Sequence, residues 1–265
     1  MVTKVRTFQR RALARFNNVT LLTFLGCSVP TVTGLAATHE LDRSRQCVVV
    51  LTSNWASTTG VMRTFERGEA TASWKEQGPQ VTVVVGRNGL GLGRGLIRLD
   101  FEGATNKKEG DDRAPAGIFR LTSAFGYAAA RSAAWVKLPY LALSKQIEGI
   151  DDPNSHYYNK LVDRSKVAEI DWRSSEQMRR DDALYKWGII VDHNPAAIPG
   201  AGSCIFLHIW KNSSAPTAGC TAMAETDLLS LLRWLDPARH PVLIQMPRAA
   251  YRSIRSKYGL PSDHS

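Results

Sequence analysis

Short apolar runs, each bounded by turn-forming residues, dominate the chain and predict a mostly-β fold. Runs rich in Val, Ile, Thr and aromatic residues are typical of strands, and flanking Gly, Asn, Ser and Pro are typical of turns. Strands are predicted over 47–51, 60–66, 81–85, 115–121, 135–140, 187–191, 204–209 and 241–246. Because predicted strands outnumber helices, we expect an α+β domain with a barrel-like, mixed or antiparallel sheet and peripheral helices.

Helical patterns are confined to three segments. The segment 174–185 opens with the Ser-x-x-Gln spacing of a capping box, and 224–235 carries four leucines at helical spacing. The segment 249–258 is followed by Gly259 and Pro261, which are typical of a helix end. We therefore predict one helix in each segment.

The N-terminus resembles an export signal. Five basic residues and no acidic residue occur in 1–36, an apolar core follows at 19–26, and small residues at 34–37 offer a cleavage site. The apolar core is too short for a full membrane span, and no other segment is long and apolar enough. We expect a periplasmic, secreted or cell-wall-associated protein with no stable membrane span. An uncleaved anchor and lipidation at Cys27 are the alternatives.

These patterns divide the chain into four parts. Residues 1–36 are the predicted export signal, and 37–80 are predicted strands packed on or leading into the catalytic domain. The predicted catalytic domain covers 81–247, and 248–265 form a C-terminal helix and tail. Within the catalytic domain, the polar stretch 151–171 is predicted to be a long surface loop or a small subdomain.

The charge balance argues against a nucleic-acid partner. The formal net charge of +10 falls to +5 when the five basic residues of 1–36 are removed. A mildly basic surface suits an acidic polymer such as a cell wall, but +5 is too small for a nucleic-acid-binding protein of this length. Since the chain also has no aromatic-basic RNA-binding motif, we expect no nucleic-acid binding.

A histidine and a cysteine form the strongest candidate site. His208 lies in the apolar run FLHIW, and Cys220 follows the small turn PTAG. Cysteine attacks carbonyl groups as the thiolate, and a nearby imidazole commonly takes its proton. Gly219 allows a tight turn whose backbone N–H groups can point at a developing oxyanion. The alternative is an ordinary buried core histidine beside an unreactive thiol.

A zinc site is the less favoured interpretation of the same residues. Cys204, His208 and Cys220, with His193, are chemically suitable zinc ligands. However, residues 204 and 208 on one strand are about 13 Å apart, which is far for ligands of one tetrahedral ion. No metal and no cofactor is therefore predicted.

Two further features have less favoured functional interpretations. The glycine-rich run 86–95 lacks both the GxGxxG and the P-loop spacing, so we expect a hairpin or cleft wall rather than a nucleotide site. In an oxidising compartment Cys47 and Cys204 could pair and leave Cys220 free, or both could be small buried hydrophobes.

Three motifs together resemble the L,D-transpeptidase catalytic-domain family, which has the YkuD-like fold. DRAPAGIF at 112–119 is similar to the Pro-x-Gly-x-Phe element of the family. GSCIFLH at 202–208 resembles the strand that bears the catalytic histidine, and PTAGC at 216–220 resembles the segment with the catalytic cysteine. The spacer between the last two motifs is short, and Ala218 and Ala222 replace residues that are usual in the family, which indicates a divergent branch.

The resemblance implies a cysteine enzyme that acts on peptidoglycan stem peptides. Cys220 would attack the carbonyl that precedes a terminal D-Ala, His208 would carry the proton, and the amides of Gly219 and Cys220 would hold the oxyanion. An amine acceptor would make the enzyme a transpeptidase, and water would make it an L,D-carboxypeptidase. A non-catalytic cell-wall-binding protein is the remaining alternative.

Four polar residues near these motifs are weaker candidates for substrate binding. They could line the cleft or could serve only in hydrogen bonds within loops. These candidates are Asp192, Asn194, Ser203 and Thr217.

Overall fold

A computed structural model describes residues 41–263, and the predicted export signal lies outside them. Thirteen strands and two α-helices are found in this part of the chain. The strands are β1 (Gln46–Thr52), β2 (Thr59–Glu66), β3 (Lys75–Val84), β4 (Leu90–Leu92), β5 (Ala114–Gly126), β6 (Tyr140–Ala142), β7 (Ile147–Ile150), β8 (Leu161–Asp163), β9 (Ser175–Gln177), β10 (Trp187–Val191), β11 (Phe206–Ile209), β12 (Thr221–Met223) and β13 (Val242–Pro247). The helices are α1 (Glu225–Trp234) and α2 (Arg248–Arg255).

Eight strands close into a mixed barrel, which confirms the predicted fold class. The order is β10-β11-β12-β3-β2-β1-β13-β5, and pairing of β5 with β10 closes the circle. The β1–β13 and β11–β12 pairs are parallel, and the other neighbours in the barrel are antiparallel. Closure removes the free edges that an open sheet would expose.

The apolar core fills the barrel and continues under the helices. Every residue of β1 and β13 is buried, as expected for strands covered on both faces. Helix α2 packs on these two strands, and α1 packs on β10 and β11. The buried leucines of α1 are those that the helical spacing predicts, so α1 supports the strand that carries His208.

A second, three-stranded antiparallel sheet lies in the region predicted to be a loop or small subdomain. Its order is β8-β7-β9. The carboxylate of Glu148 on β7 accepts hydrogen bonds from Trp172 Nε1 at 2.9 Å and from Ser175 Oγ at 2.8 Å. Polar side chains therefore organise this sheet as much as apolar packing does.

The helix predicted over 174–185 is wrong, because β9 occupies its start. The hydroxyl of Ser174 donates to the Asp151 carboxylate instead of capping a helix. Glu176 accepts hydrogen bonds from Tyr185 and Arg180. Since the segment has few apolar anchors, these tertiary contacts outweigh the local capping signal.

The strand predicted over 135–140 is also wrong. A 3₁₀ turn at Ala130–Ala133 precedes this segment, and β6 begins only at Tyr140. Trp135 instead packs against Trp187, with ring centroids 5.3 Å apart. Pro139 has no N–H to donate, which disfavours a ladder through this stretch.

The possible pairing of Cys47 with Cys204 does not occur. Cys47, Cys204 and Cys220 are all free thiols in the described part of the chain. Cys47 lies in the core on β1, whereas Cys204 precedes β11 and lines the cleft described below.

Glycines in the run 86–95 serve close backbone approach. A Cβ on Gly86 would lie 2.4 Å from Asp112 O, and a Cβ on Gly95 would lie 2.1 Å from Ile118 O. The chain therefore needs glycine there to pass the strand that follows, whatever ligand the protein binds. No helix within residues 41–263 combines the length and apolarity that crossing a bilayer requires.

Candidate active site

A cleft of about 740 Å³ opens where β11 and β12 lie side by side. Five of the residues predicted to act in catalysis or binding line this cleft. They are Ser203, His208, Thr217, Gly219 and Cys220.

Parallel pairing of β11 and β12 brings His208 and Cys220 together. Leu207 is opposite Thr221, and His208 is opposite Ala222, so Cys220 lies one residue before the paired stretch. With the usual strand spacing and rise, the Cα atoms of His208 and Cys220 are about 8 Å apart. Both side chains project to the same face because side chains alternate along each strand.

The His208 ring is held in one tautomer. Its Nδ1 lies 2.8 Å from Ile209 O, and a carbonyl oxygen can only accept, so Nδ1 carries the proton. The edge of the Tyr185 ring packs on the imidazole at a centroid distance of 5.1 Å. Burial lowers the pKa of His208 to about 4, so Nε2 is an unprotonated acceptor at neutral pH.

The Cys220 thiol is buried beside the start of β11. Its Sγ accepts a hydrogen bond from the Phe206 amide at 3.3 Å and lies 3.7 Å from Cys204 O. Burial raises the pKa of Cys220 to about 12, and the charge of Glu176 acts in the same direction. The resting pair is therefore a neutral thiol and a neutral imidazole.

The Thr217 hydroxyl holds the turn that presents Cys220. It accepts from the Gly219 amide at 3.1 Å and donates to Cys220 O at 2.6 Å. The backbone of Thr217 is also tied to Val85 and Arg87 on the neighbouring segment. The Gly219 amide, predicted to face an oxyanion, therefore already has a partner inside the turn.

Ser203 faces the cleft, but its hydroxyl already has a partner. Ser203 Oγ donates to Glu109 Oε2 at 2.7 Å, and Tyr158 OH donates to the same oxygen at 2.6 Å. Burial and the Glu109 carboxylate raise the pKa of Tyr158, so its hydroxyl stays protonated. These contacts tie the loop before β11 to the segment before β5.

Asp192 and Asn194 do not line the cleft that contains Cys220, contrary to the prediction. Asp192 accepts from Arg120 at 3.2 Å. Asn194 is fully buried, and its side chain bonds the backbone of Ile198 and Gly202. Both residues therefore shape the loop between β10 and β11.

His193 is a structural residue of the same loop. Its two ring nitrogens lie 3.2 Å from the Arg94 amide and 3.0 Å from Ala201 O. Since both nitrogens have partners, His193 is not available as a metal ligand here. Within residues 41–263, no group of three or more His, Cys, Asp or Glu side chains is arranged to hold a metal ion.

Several residues of the cleft were missed in the sequence. Glu176 Oε1 accepts from Tyr185 OH at 2.7 Å and from Arg180 at 3.2 Å, so this group supports the residue that packs on His208. Lys107 also lines the cleft, with a side chain that is only 3 % exposed. The fully buried position of a lysine depends on distant backbone, and no local pattern announces it.

The comparison with protein families agrees with this architecture. A family model described as the L,D-transpeptidase catalytic domain, YkuD, matches residues 55–244. The match covers most of the chain, and the protein belongs to this family, whose catalytic function is exercised on peptidoglycan. A search of curated proteins and a search of solved structures gave no match.

Proposed function

We propose that the protein is an exported, cysteine-dependent L,D-transpeptidase that acts on peptidoglycan stem peptides. The observation that carries the proposal is the pairing of β11 with β12, which sets His208 and Cys220 on one face of a single cleft. The bond from His208 Nδ1 to Ile209 O leaves Nε2 as the basic atom. A positioned thiol and base are what acyl transfer through a thioester needs.

The reaction begins as Cys220 Sγ attacks the carbonyl carbon before the terminal D-Ala. The thiol proton passes to His208 Nε2 as the S–C bond forms, and the carbonyl electron pair moves onto oxygen. When the oxyanion collapses, the C–N bond breaks and His208 returns the proton to the departing D-Ala amine. An amine of a second stem, or a free D-amino acid, then attacks the thioester and releases Cys220.

The charges around the cleft suit a stem peptide. Such a peptide carries carboxylates and, on its diamino acid, an amine. The lining offers both signs of charge, so it can pair with each of these groups. The basic residues are Arg87, Lys107, Arg180 and Lys211, and the acidic residues are Glu109, Asp112, Asp151 and Glu176.

Export is part of the proposal because peptidoglycan lies outside the cytoplasm. The basic, acid-free segment 1–36 and the apolar core at 19–26 support it. Mass spectrometry of the N-terminus of the protein recovered from the cell envelope would test it. A new terminus near residue 37 is expected, whereas recovery of the intact chain from the cytoplasm would contradict export.

The first test is incubation of purified tetrapeptide muropeptides with the protein, with and without an added D-amino acid, followed by mass spectrometry. We expect loss or exchange of the terminal D-Ala, and Cys220→Ala should abolish it while leaving the fold intact. Cys47→Ala is the matched control, because it removes a buried thiol from the barrel core, away from the cleft.

The products distinguish the candidate activities. Cross-linked or exchanged peptides would establish a transpeptidase, and bare tripeptide alone would establish an L,D-carboxypeptidase. No turnover by folded protein, together with retention on insoluble peptidoglycan, would favour the wall-binding alternative. Equal turnover by Cys220→Ala would refute the cysteine mechanism.

A further inference from the structure

Lys107 has no part in the mechanism above, yet its ammonium lies beside the Cys220 turn. A Cβ built on Gly219 would lie 3.8 Å from Lys107 Nζ. Since a Cα–Cβ bond is about 1.5 Å long, Nζ is within about 5.3 Å of Gly219 Cα. The positive charge is thus close to the place where the thiolate and the oxyanion would form.

The lysine is buried but only partly satisfied. Nζ donates to Asp111 Oδ1 at 2.5 Å and to Lys108 O at 2.6 Å. An ammonium has three N–H groups, so one donor is left over on a side chain that lines the cleft. Burying a lysine is costly, and the single carboxylate of Asp111 repays only part of that cost.

Two glycines make room for this side chain. A Cβ on Gly202 would lie 3.1 Å from Lys107 Cγ and 3.2 Å from Cε, which is too tight without a shift. Gly202 therefore lets the aliphatic stem pass, and Gly219 leaves the space at its tip open. The loop before β11 and the turn before β12 together form a passage that leads the ammonium to Cys220.

The chemistry at Cys220 lacks a compensating charge without this lysine. The Gly219 amide is engaged by Thr217 Oγ1. Burial disfavours charge on the thiol, and the nearby Glu176 adds to that effect, whereas Lys107 lowers the pKa of Cys220. A buried cation acts strongly on a developing negative charge because little solvent screens it.

We propose that Lys107 is a catalytic residue that stabilises the negative charge formed first on Cys220 Sγ and then on the carbonyl oxygen of the substrate. This inference rests on the proposed acyl-transfer function and adds a residue to it. Lys107 stays protonated throughout, so the proton still travels from Sγ to His208 Nε2 and on to the leaving amine. Asp111 holds the ammonium in place.

The test compares Lys107→Met with the wild-type protein in two assays. The first follows alkylation of Cys220 by iodoacetamide at fixed alkaline pH, with peptide mass spectrometry to separate Cys220 from the other thiols. We expect labelling to slow about tenfold, since less thiolate is present. The second follows D-Ala release, where we expect kcat to fall about 100-fold with KM nearly unchanged.

Two further variants complete the design. Lys108→Met is the matched control, because its exposed side chain lies next in the chain but does not line this cleft. Should Lys107→Met fail to fold, Lys107→Gln keeps an N–H donor for Asp111 while removing the charge. Urea unfolding of each variant checks that folded protein is compared.

The outcomes separate this inference from the proposed function. Slower labelling and a lower kcat in both neutral variants would support it. Unchanged labelling and unchanged kcat would overturn it, and a raised KM alone would make Lys107 a binding residue for a substrate carboxylate instead. If wild-type protein lacks turnover, the proposed function fails, and the labelling assay still decides whether Lys107 stabilises the thiolate.

Discussion

At the scale of single residues, burial decides the protonation of the candidate pair. The pKa of His208 is lowered to about 4 and that of Cys220 is raised to about 12, in both cases chiefly by burial. Between these values His208 is an unprotonated base beside a protonated thiol. Proton transfer must therefore accompany attack on the substrate, rather than precede it as in a preformed thiolate–imidazolium pair.

This protonation state predicts the pH profile of the reaction. We expect kcat/KM for D-Ala release to be nearly flat from pH 5 to pH 8 and to fall as pH drops through about 4, where the imidazole gains a proton. The measurement uses short exposures to each pH, and recovery at pH 7 shows that the protein has not unfolded. An acid limb centred near 6.5 would show instead that His208 titrates as an exposed imidazole.

Which site residues the sequence can predict depends on how local their partners are. His208 and Cys220 are recognisable because a short segment contains both, and neighbouring strands place them side by side. Lys107 is not, since the glycines that accommodate it are far along the chain at 202 and 219. Asn194 shows the opposite error, because a polar residue near the motif is fully used in its own loop.

At the scale of elements, the turn 216–220 is held by one hydroxyl. Replacement Thr217→Val removes the bonds to Gly219 N and Cys220 O and leaves buried groups unpaired. We expect a loss of about 1–3 kcal/mol in the free energy of unfolding and slower D-Ala release. Thr217→Ser keeps the hydroxyl and should retain most activity, with urea unfolding and product assays as the measurements. Equal behaviour of the two variants would show that the methyl group, not the hydroxyl, matters.

The same scale shows where local pattern is and is not sufficient. The strands β1 and β13 and the helix α1 follow their predicted segments closely, since apolar periodicity reports burial directly. The segment 174–185 misled because its capping-box spacing is local, whereas Glu176 is held by Tyr185 and Arg180 in the folded cleft. Polar tertiary contacts leave no periodic trace.

At the scale of the whole molecule, closure of the barrel depends on pairings that the sequence alone could not order. The parallel pair of β1 with β13 joins residues from opposite ends of the described chain, as in Cys47 opposite Val242. Strand content predicts a barrel-like sheet, but neither this pairing nor the β5–β10 closure follows from local pattern. Such long-range pairs also place β1 at the centre of the barrel, covered by α2.

The folded state also keeps two histidines neutral, which links its stability to pH. Burial lowers the pKa of both His193 and His208 to about 4. In the unfolded chain each should titrate near its ordinary value of about 6.5. The unfolded state therefore binds more protons between these values, and the stability that is present above about 6.5 is lost as pH falls through about 4.

We expect the free energy of unfolding to fall by about 3 kcal/mol for each of the two histidines over that interval. Urea unfolding at half-unit steps from pH 7 to pH 4.5 measures the slope above the range where most carboxylates titrate. His193→Gln should remove about half of the slope while leaving the His208 contribution, because the two rings lie on separate elements. A stability that does not change with pH in this window would mean that both imidazoles are protonated as easily in the folded protein as in the unfolded chain.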